Sequence, residues 1–437
     1  MTHFRLREGM VLGVAAAATQ IEGGEQDNSW HDWARRGKIK DGTSPSRADD
    51  HYERWREDAL LMKEMGIGAY RLSLEWSRIE PENGQFDDAA LQHYRDELVL
   101  LRGLDIMPLL TLHHYTNPMW FERLGAFGKV GNIDIFLRYA ERVIRSLGDL
   151  VDEYVTINEP NVYAVFGYFF GSWPPGRKSL PATFKVLSHL AACHIRTYEL
   201  IHKIRRELGY SLTRVGFAHH VRIFDPWNPN NPLHRFSARL AGRCFQDIVA
   251  EAFFAGRYHW PLIRCLDIVP GSYCDFIGIN YYSRSLVLCL TERVASGLPV
   301  NDLGWEIYPE GLIRCARSLH ESYGLPVYIT ENGTCDRNDA FRSRFICEHI
   351  QALCDSGLPV ERYYHWCFCD NFEWLDGESA RFGLVHVDFA TQQRTIKDSG
   401  RFYAAIIADG CVSDTAYAAV AAQIYPVAAG SVRTHLQ

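Results

Sequence analysis

Two runs in this chain end on an acid beside an asparagine. "YVTINEP" (154–160) has a β-favouring Tyr-Val-Thr-Ile core and stops on Asn158, Glu159 and Pro160, while "VYITENG" (327–333) stops on Glu331, Asn332 and Gly333. A carboxylate at the mouth of a buried strand is costly to keep unless it is paired, hydrated or used. One such Glu alone reads as a salt-bridged rim residue. Two facing a common space suit glycosidic bond cleavage, in which one protonates the leaving oxygen and the other attacks, or directs water at, the sugar carbon. That chemistry requires unequal environments, one carboxyl protonated and the other ionised.

The elements that must bring the two together are legible in the spacing. Short apolar, β-branched or aromatic runs recur at 11–19, 69–76, 106–114, 154–160, 214–221, 275–282, 327–333 and 363–374. Amphipathic patterns with apolar residues three and four apart lie between them, as at 49–66, 88–103 and 133–148, each with a glycine near its end. Strand then helix, eight times over, predicts an α/β fold: a single (β/α)8 barrel domain over residues 1–437. An open doubly wound sheet is disfavoured because no G-x-G-x-x-G follows the first run. Polar residues sit at the C-terminal ends of the runs: Gln20, Glu75, His113 and His114, Asn158 and Glu159, His219 and His220, Asn280 and Tyr282, Glu331 and Asn332, Asp370 and Glu373. In such a barrel those ends share one face, where active sites are built. The fourth and seventh strands lie across that mouth from each other, so Glu159 and Glu331 converge. The Pro- and Asn-rich stretch 222–235 reads as a loop over the mouth.

Composition narrows the partners. A chain of 437 residues with 47% apolar and 23% charged residues has room for two domains or one large α/β domain. A net charge of -7 and no long Lys/Arg block argue against nucleic acid. Trp30, Trp33, Trp173, Trp305, Trp366 and Trp374 stand beside polar residues and serve either as core packing or as flat platforms for a sugar ring. The 12 cysteines, from Cys193 to Cys411, form no C-x-x-C pair. Cys367 and Cys369 lie on one face of a strand-like run and read as core thiols, and the irregular spacing suggests a reducing, cytoplasmic location. "FRLREGMVLGVAAAATQ" could pass for a secretory leader, but its short, Ala-rich run leads straight into Gln20 and Glu22, and it is read as the first buried strand. No apolar run approaches the roughly 20 residues of a membrane span. Neither a metal nor an organic cofactor is expected. Adjacent histidines on a strand face opposite ways, so His219 and His220 read as core or solvated rather than as metal ligands, and His113 as a packed core residue.

The motifs resemble glycoside hydrolase family 1, the retaining β-glycosidases. "TINEP" is similar to its acid/base motif and "ITENG" to its nucleophile motif. Further likenesses run along nearly the whole chain: "AAAATQIEGG", "YRLSLEWSRIEPENGQFD", "TLHHYTNP", "DFIGINYYS", "DLGWEIYPEGL" and "HWCFCDNFEWLDGESARFGLVHVD". The resemblance implies Glu159 as acid/base and Glu331 as nucleophile, with Arg71, Tyr282 and Asn280 supporting the nucleophile. It implies Asn158 on the sugar 2-hydroxyl, Gln20, His114, Glu373 and Trp374 on the outer hydroxyls, and Trp366 beneath the ring. The expected activity is retaining hydrolysis of terminal β-linked glycosides, β-D-glucosides foremost and β-D-galactosides or β-D-fucosides besides. The alternatives are transglycosylation on the same intermediate and a non-catalytic sugar receptor. A small-molecule glycoside is the expected partner.

Relatives acting on phosphorylated sugars carry a serine and a lysine-tyrosine pair around the position of Glu373, and a carboxylate there would repel a phosphate. Thioglucoside-cleaving relatives replace the acid/base Glu by Gln, and receptor-like relatives lose a catalytic carboxylate, whereas Glu159 and Glu331 are both present here. Two departures matter: Tyr115 after His114, and Asn161 after Pro160, stand where many members have Trp. They leave the choice among gluco, galacto, fuco and manno sugars open. Tyr168, Phe170, Trp173 and Trp305 are candidates for the aglycone side.

Overall fold

Strands and helices alternate eight times in the computed structural model, which describes residues 1–289, 291–430 and 432–433. The barrel strands are β1 (Val11–Ala15), β2 (Ala69–Ser73), β3 (Met107–His113), β4 (Glu153–Asn158), β5 (Arg214–Pro226), β6 (Ile277–Leu288), β7 (Val327–Asn332) and β8 (Val360–Trp366). Each pairs in parallel with the next, and β8 returns to β1 with Tyr364 opposite Gly13, closing a (β/α)8 barrel. The principal outer helices are α1 (His51–Glu64), α2 (Asp88–Gly103), α3 (Ile133–Leu147), α4 (Leu180–Glu207), α5 (Pro232–Gly242), α6 (Pro309–Tyr323), α7 (Arg342–Asp355) and α8 (Asp398–Asp409).

The strands are short apolar runs because each is covered on both faces, by the barrel interior and by the helices. Every residue of β2 and of β7 is buried. The helices carry the complementary pattern. On α3 the buried set is Ile133, Phe136, Tyr139, Ala140, Val143, Ile144 and Leu147, a stripe at spacings of three and four. Helix α2 begins where the Asp87 carboxylate accepts the Ala89 and Ala90 N–H groups at 2.8 and 3.1 Å. The segment that could have passed for a leader is strand β1, held between β8 and β2. No helix among the described residues is long and apolar enough to cross a membrane. All 12 cysteines are free thiols.

Two readings are corrected. The stretch 222–235 is not one loop: β5 continues to Pro226, paired with β6 from Ile223 opposite Arg284 to Pro226 opposite Val287. Helix α5 then starts at Pro232, capped by the Asn231 side chain, which accepts the Leu233 N–H at 2.9 Å. Only residues 227–231 connect the two. The eighth run is also shorter as a strand than 363–374, because β8 ends at Trp366. Cys367 and Cys369 are buried as expected but lie beyond the strand, where the Cys367 thiol donates to the Cys369 carbonyl at 3.0 Å.

Candidate active site

The strand ends open on one mouth, and the turn that delivers Glu159 follows from its sequence. Pro160 has no N–H to offer β5, so pairing stops at Asn158, and Pro160 opens the short helix Pro160–Ala164. Glu159 bridges strand and helix with φ at 40°, a left-handed conformation that L residues adopt at a cost and that persists at sites where the surroundings enforce it. Across the mouth, Glu331 ends its run one residue before Asn332, followed by Gly333. A Cβ on Gly333 would stand 1.9 Å from the Trp366 carbonyl oxygen, so only glycine lets the end of β7 lie this close to the end of β8.

Glu159 and Glu331 line the same cavity, whose free space, including its open mouth, is about 600 Å³. His114, Tyr115, His220, Tyr282, Trp366, Glu373, Trp374 and Asp376 supply the remaining polar wall, and Val162, Trp173, Leu303, Trp305, Leu375 and Phe382 an apolar one. No lysine or arginine is among these lining residues.

Glu331 takes a donor on each oxygen: Arg71 Nη1 on Oε1 at 2.5 Å and the Tyr282 hydroxyl on Oε2 at 2.6 Å. Arg71 is itself buried and held on every nitrogen, its Nε on Thr111 Oγ1, its Nη1 also on the Thr330 carbonyl, and its Nη2 on Asn158 Oδ1 at 2.6 Å. Asn280 completes a bridge across the mouth. Its amide nitrogen donates to Asn158 Oδ1 at 3.0 Å and to Glu159 Oε1 at 2.8 Å, while its oxygen accepts from Thr330 Oγ1 at 2.6 Å. The two carboxyls are therefore joined through Asn280, Asn158 and Arg71 in one hydrogen-bonded network.

That network also settles orientations behind the sugar wall. A guanidinium only donates, so Asn158 presents its oxygen to Arg71 and its nitrogen to His114 Nε2, 3.0 Å away. His114 Nε2 is then an acceptor, and the ring proton sits on Nδ1, which has no protein partner among the described residues. Burial, with the Arg71 charge assisting, holds His114 well below the usual histidine range, so the ring is neutral. Gln20 donates to the Phe372 carbonyl at 2.9 Å, to Glu373 Oε2 at 3.1 Å and to Asn371 Oδ1 at 3.2 Å, and its own buried oxygen has no protein partner among the described residues. A free donor on His114 and a free acceptor on Gln20 are the complement of a hydroxyl-bearing ring.

Of the residues singled out in the sequence, Glu159, Glu331, His114, Tyr282, Trp366, Glu373 and Trp374 line the cavity, whereas Gln20, Arg71, Asn158 and Asn280 stand behind it. Four of the six highlighted tryptophans reach its wall, namely Trp173, Trp305, Trp366 and Trp374; Trp30 and Trp33 are buried and are not among its lining. Of the residues expected on the aglycone side, Trp173 and Trp305 line the cavity, whereas Tyr168 and Phe170 are not among its lining. His113 is a core residue, its Nε2 at 2.9 Å from Asn117 Oδ1 and its ring among Phe127, Phe136 and Tyr163.

His220 is a correction. Its neighbour His219 packs outward with Nε2 on the Gln246 carbonyl, but His220 faces the cavity with Nδ1 at 3.1 Å from Glu159 Oε1. Tyr115, a departure from the family pattern in the sequence, donates its hydroxyl to Glu159 Oε2. Strand register was the missing signal for His220: it stands opposite Asn280 on β6, in the row that looks into the mouth.

The electrostatics are those of a coupled pair. Burial pushes Glu331 up to about 7, with Arg71 opposing and the nearby Glu159 charge assisting. Burial acts on Glu159 too, but His220, Tyr115 and Asn280 outweigh it and hold that carboxyl below the ordinary range. Below about pH 7 the pair holds one proton, and in the empty site these shifts favour it on Glu331 rather than on Glu159, the reverse of the order expected for a nucleophile and an acid. Glu373 is pushed up to about 8, by burial first and by Asp376 next. That shift favours the neutral form near pH 7, against the expectation of a charged Glu373. Asp376 lies on the same wall, whose lining holds no lysine or arginine.

The sequence profile described as Glycosyl hydrolase family 1 matches residues 2–411. Beta-glucosidase A of Thermotoga maritima is 30% identical to this chain, over 93% of it and 98% of the relative. Beta-glucosidase A of Acetivibrio thermocellus is 32% identical, over 93% of this chain and 99% of the relative. The solved structure of a beta-glycosidase from Pyrococcus horikoshii superposes with a TM-score of 0.87 at 33% identity, covering 96% of this chain and 98% of that one.

Proposed function

The chain belongs to glycosyl hydrolase family 1 and is a β-glucosidase-like glycoside hydrolase, and from that premise we propose that it hydrolyses unphosphorylated terminal β-glycosides, β-D-glucosides foremost, with retention of configuration. The reading rests on one observation: Glu159 and Glu331, from strands on opposite sides of the barrel, open on one cavity with different partners. A glycosyl ring lies over Trp366, its hydroxyls toward Gln20, His114, Asn158, Glu373 and Trp374. Glu331, aimed by Arg71 and Tyr282, attacks the anomeric carbon as the bond to the aglycone oxygen breaks, and Glu159 gives that oxygen its proton. Glu159, now a carboxylate, takes a proton from water, whose oxygen attacks the same carbon and releases Glu331. Two inversions return the starting configuration. The apolar rim of Val162, Trp173, Leu303, Trp305, Leu375 and Phe382 receives the departing group.

A panel of aryl β-glycosides differing only in the sugar, with one 6-phosphorylated member, tests the substrate class. Turnover of the glucoside and none of the phosphorylated sugar is expected; activity confined to the phosphorylated one would overturn the reading. Proton NMR of the first-formed sugar should show the β anomer, and the α anomer would exclude retention.

The pH profile follows from the shared proton. The productive enzyme has one proton on the carboxylate pair, and in the free enzyme that proton leaves at about 7. kcat/KM, which reports the free enzyme, is expected to fall about tenfold per pH unit above that point. A profile flat to pH 9 would show that the pair does not carry the essential proton.

A further inference from the structure

The two oxygens of Glu159 have different surroundings. Oε1 faces two N–H groups: Asn280 Nδ2 at 2.8 Å and His220 Nδ1 at 3.1 Å. Oε2 faces one hydroxyl, that of Tyr115. Behind His220, the Arg222 guanidinium lies with Nη2 at 3.2 Å from the ring Nε2. Arg222 is buried and anchored, its Nη1 at 3.3 Å from Glu292 Oε2 and 3.4 Å from Ser285 Oγ, and its guanidinium over the Phe245 ring. A guanidinium has donors only, so Nε2 of His220 must accept, and the single ring proton is on Nδ1, aimed at Glu159. Asn280 is fixed in the same sense, because its oxygen is occupied by Thr330 Oγ1. Neither neighbour of Oε1 can turn round and accept. A hydroxyl can: Tyr115 donates to a carboxylate and accepts from a carboxylic acid.

We infer that Glu159 carries, delivers and recovers its catalytic proton through Oε2, with the Tyr115 hydroxyl as the reversible partner, while His220, locked by Arg222, and Asn280 keep Oε1 a permanent acceptor. This rests on the acid/base role proposed for Glu159. In the first half-reaction the Oε2–H bond breaks and the proton goes to the aglycone oxygen as that oxygen leaves the sugar carbon; the Tyr115 O–H swings to Oε2 and stabilises the new carboxylate. In the second, a water proton returns to Oε2 as the water oxygen bonds to the sugar carbon, and Tyr115 reverts to acceptor. His220 and Arg222 are positioning residues: they act through the Glu159 carboxylate. Among the described residues, other ionisable groups facing this assembly include Glu331 and Arg71 across the network, Tyr282 stacked 6.0 Å from the His220 ring, His114 with its ring 5.1 Å from that of Tyr115, His219 next to His220, and Glu292 beyond Arg222.

The ring state of His220 can be read without turnover, from nitrogen-15 spectra of histidine-labelled enzyme, with the His220 signals assigned by their loss in His220→Asn. A neutral ring protonated on Nδ1 is expected both at the activity optimum and above the basic limb. A proton on Nε2, or a tautomer that changes across the limb, would overturn the proposal, because the acidic proton would then share Oε1. The kinetic arm uses the basic limb of kcat/KM. Tyr115→Phe and His220→Phe each remove a donor to the ionised acid and should move the limb upward by about one unit, whereas His220→Asn, which restores an N–H, should leave it near the wild-type position. Tyr115→Phe should also slow a phenyl glycoside about tenfold more than a dinitrophenyl one, since only the former needs a stronger acid. An unmoved limb in both phenylalanine variants would sink the assignment. Wild-type turnover on the aryl panel judges the parent reading separately, and the ring tautomer judges this one.

Discussion

The Glu331→Gly enzyme is expected to lose hydrolysis of dinitrophenyl β-glucoside by a factor on the order of 10⁴ or more, the scale on which deleting a nucleophile acts. Dinitrophenolate departs without a proton, so the loss isolates attack at the anomeric carbon from acid catalysis. The substitution also strips Arg71 of a partner at 2.5 Å in a site where Arg71 is 1% exposed. Breaking a buried pair in this way costs roughly 3–5 kcal/mol of stability. Urea denaturation must therefore accompany the kinetics, and Glu331→Gln serves as a companion because it keeps an oxygen for Arg71. A folded Glu331→Gln enzyme that is equally inactive assigns the loss to chemistry. Undiminished turnover in either folded variant would remove Glu331 from the nucleophile role.

The electrostatics sharpen that expectation. Arg71 is held at four points, by Thr111, Thr330, Glu331 and Asn158, so it cannot follow a wandering carboxylate. The Tyr282 hydroxyl fixes the second oxygen. A carboxylate aimed by two donors has little reorganisation left to do when the sugar carbon becomes electrophilic, which is where such preorganised sites gain rate.

How far the chain could be read before its structure depends on what each residue answers to. Strands buried on both faces must be apolar throughout, so β2 and β7 stood out, and helices packed on one face had to repeat at three and four, so α1, α2 and α3 were bounded within two residues of 49–66, 88–103 and 133–148. The placement of Glu159 and Glu331 at the mouth was legible because a carboxylate ending an apolar run must be paired, hydrated or used, and two such ends on strands of one barrel face a common space. The extension of β5 beyond the barrel was not, because its pairing with β6 is made by backbone and by side chains distant in sequence. Asp225 is bound by Arg314 at 2.9 Å and by Arg284 at 3.5 Å, while Pro and Asn dominate the local composition. Tyr115, His220 and Arg222 escaped for a related reason. Alternation along β5 shows that His219 and His220 diverge, yet which of them looks into the mouth is set by the β5–β6 register, a long-range quantity. The protonation order of the two carboxyls was likewise hidden, since it depends on three donors from three elements meeting at Glu159.

Glu159→Ala should divide substrates by their need for a proton. With dinitrophenyl β-glucoside, Glu331 can still form the glycosyl ester, so the first half-reaction stays within about tenfold of wild type while the second, deprived of its base, becomes slow. The ester accumulates: a burst of dinitrophenolate appears, and kcat and KM fall together. With phenyl or alkyl β-glucosides the leaving oxygen must be protonated as it departs, and kcat/KM is expected to drop by about 10²–10⁴, the range for general acid catalysis. Azide, small and already anionic, fits the space vacated by the side chain and attacks without a base. It should restore kcat on the activated substrate and give the β-glucosyl azide. His220, Tyr115 and Asn280 lose only a shared neutral-to-anionic partner, in contrast to the buried cation that Glu331→Gly leaves behind, so the smaller stability loss belongs to Glu159→Ala. Equal losses on both substrate classes, with no azide rescue, would show that Glu159 supplies no proton to the reaction.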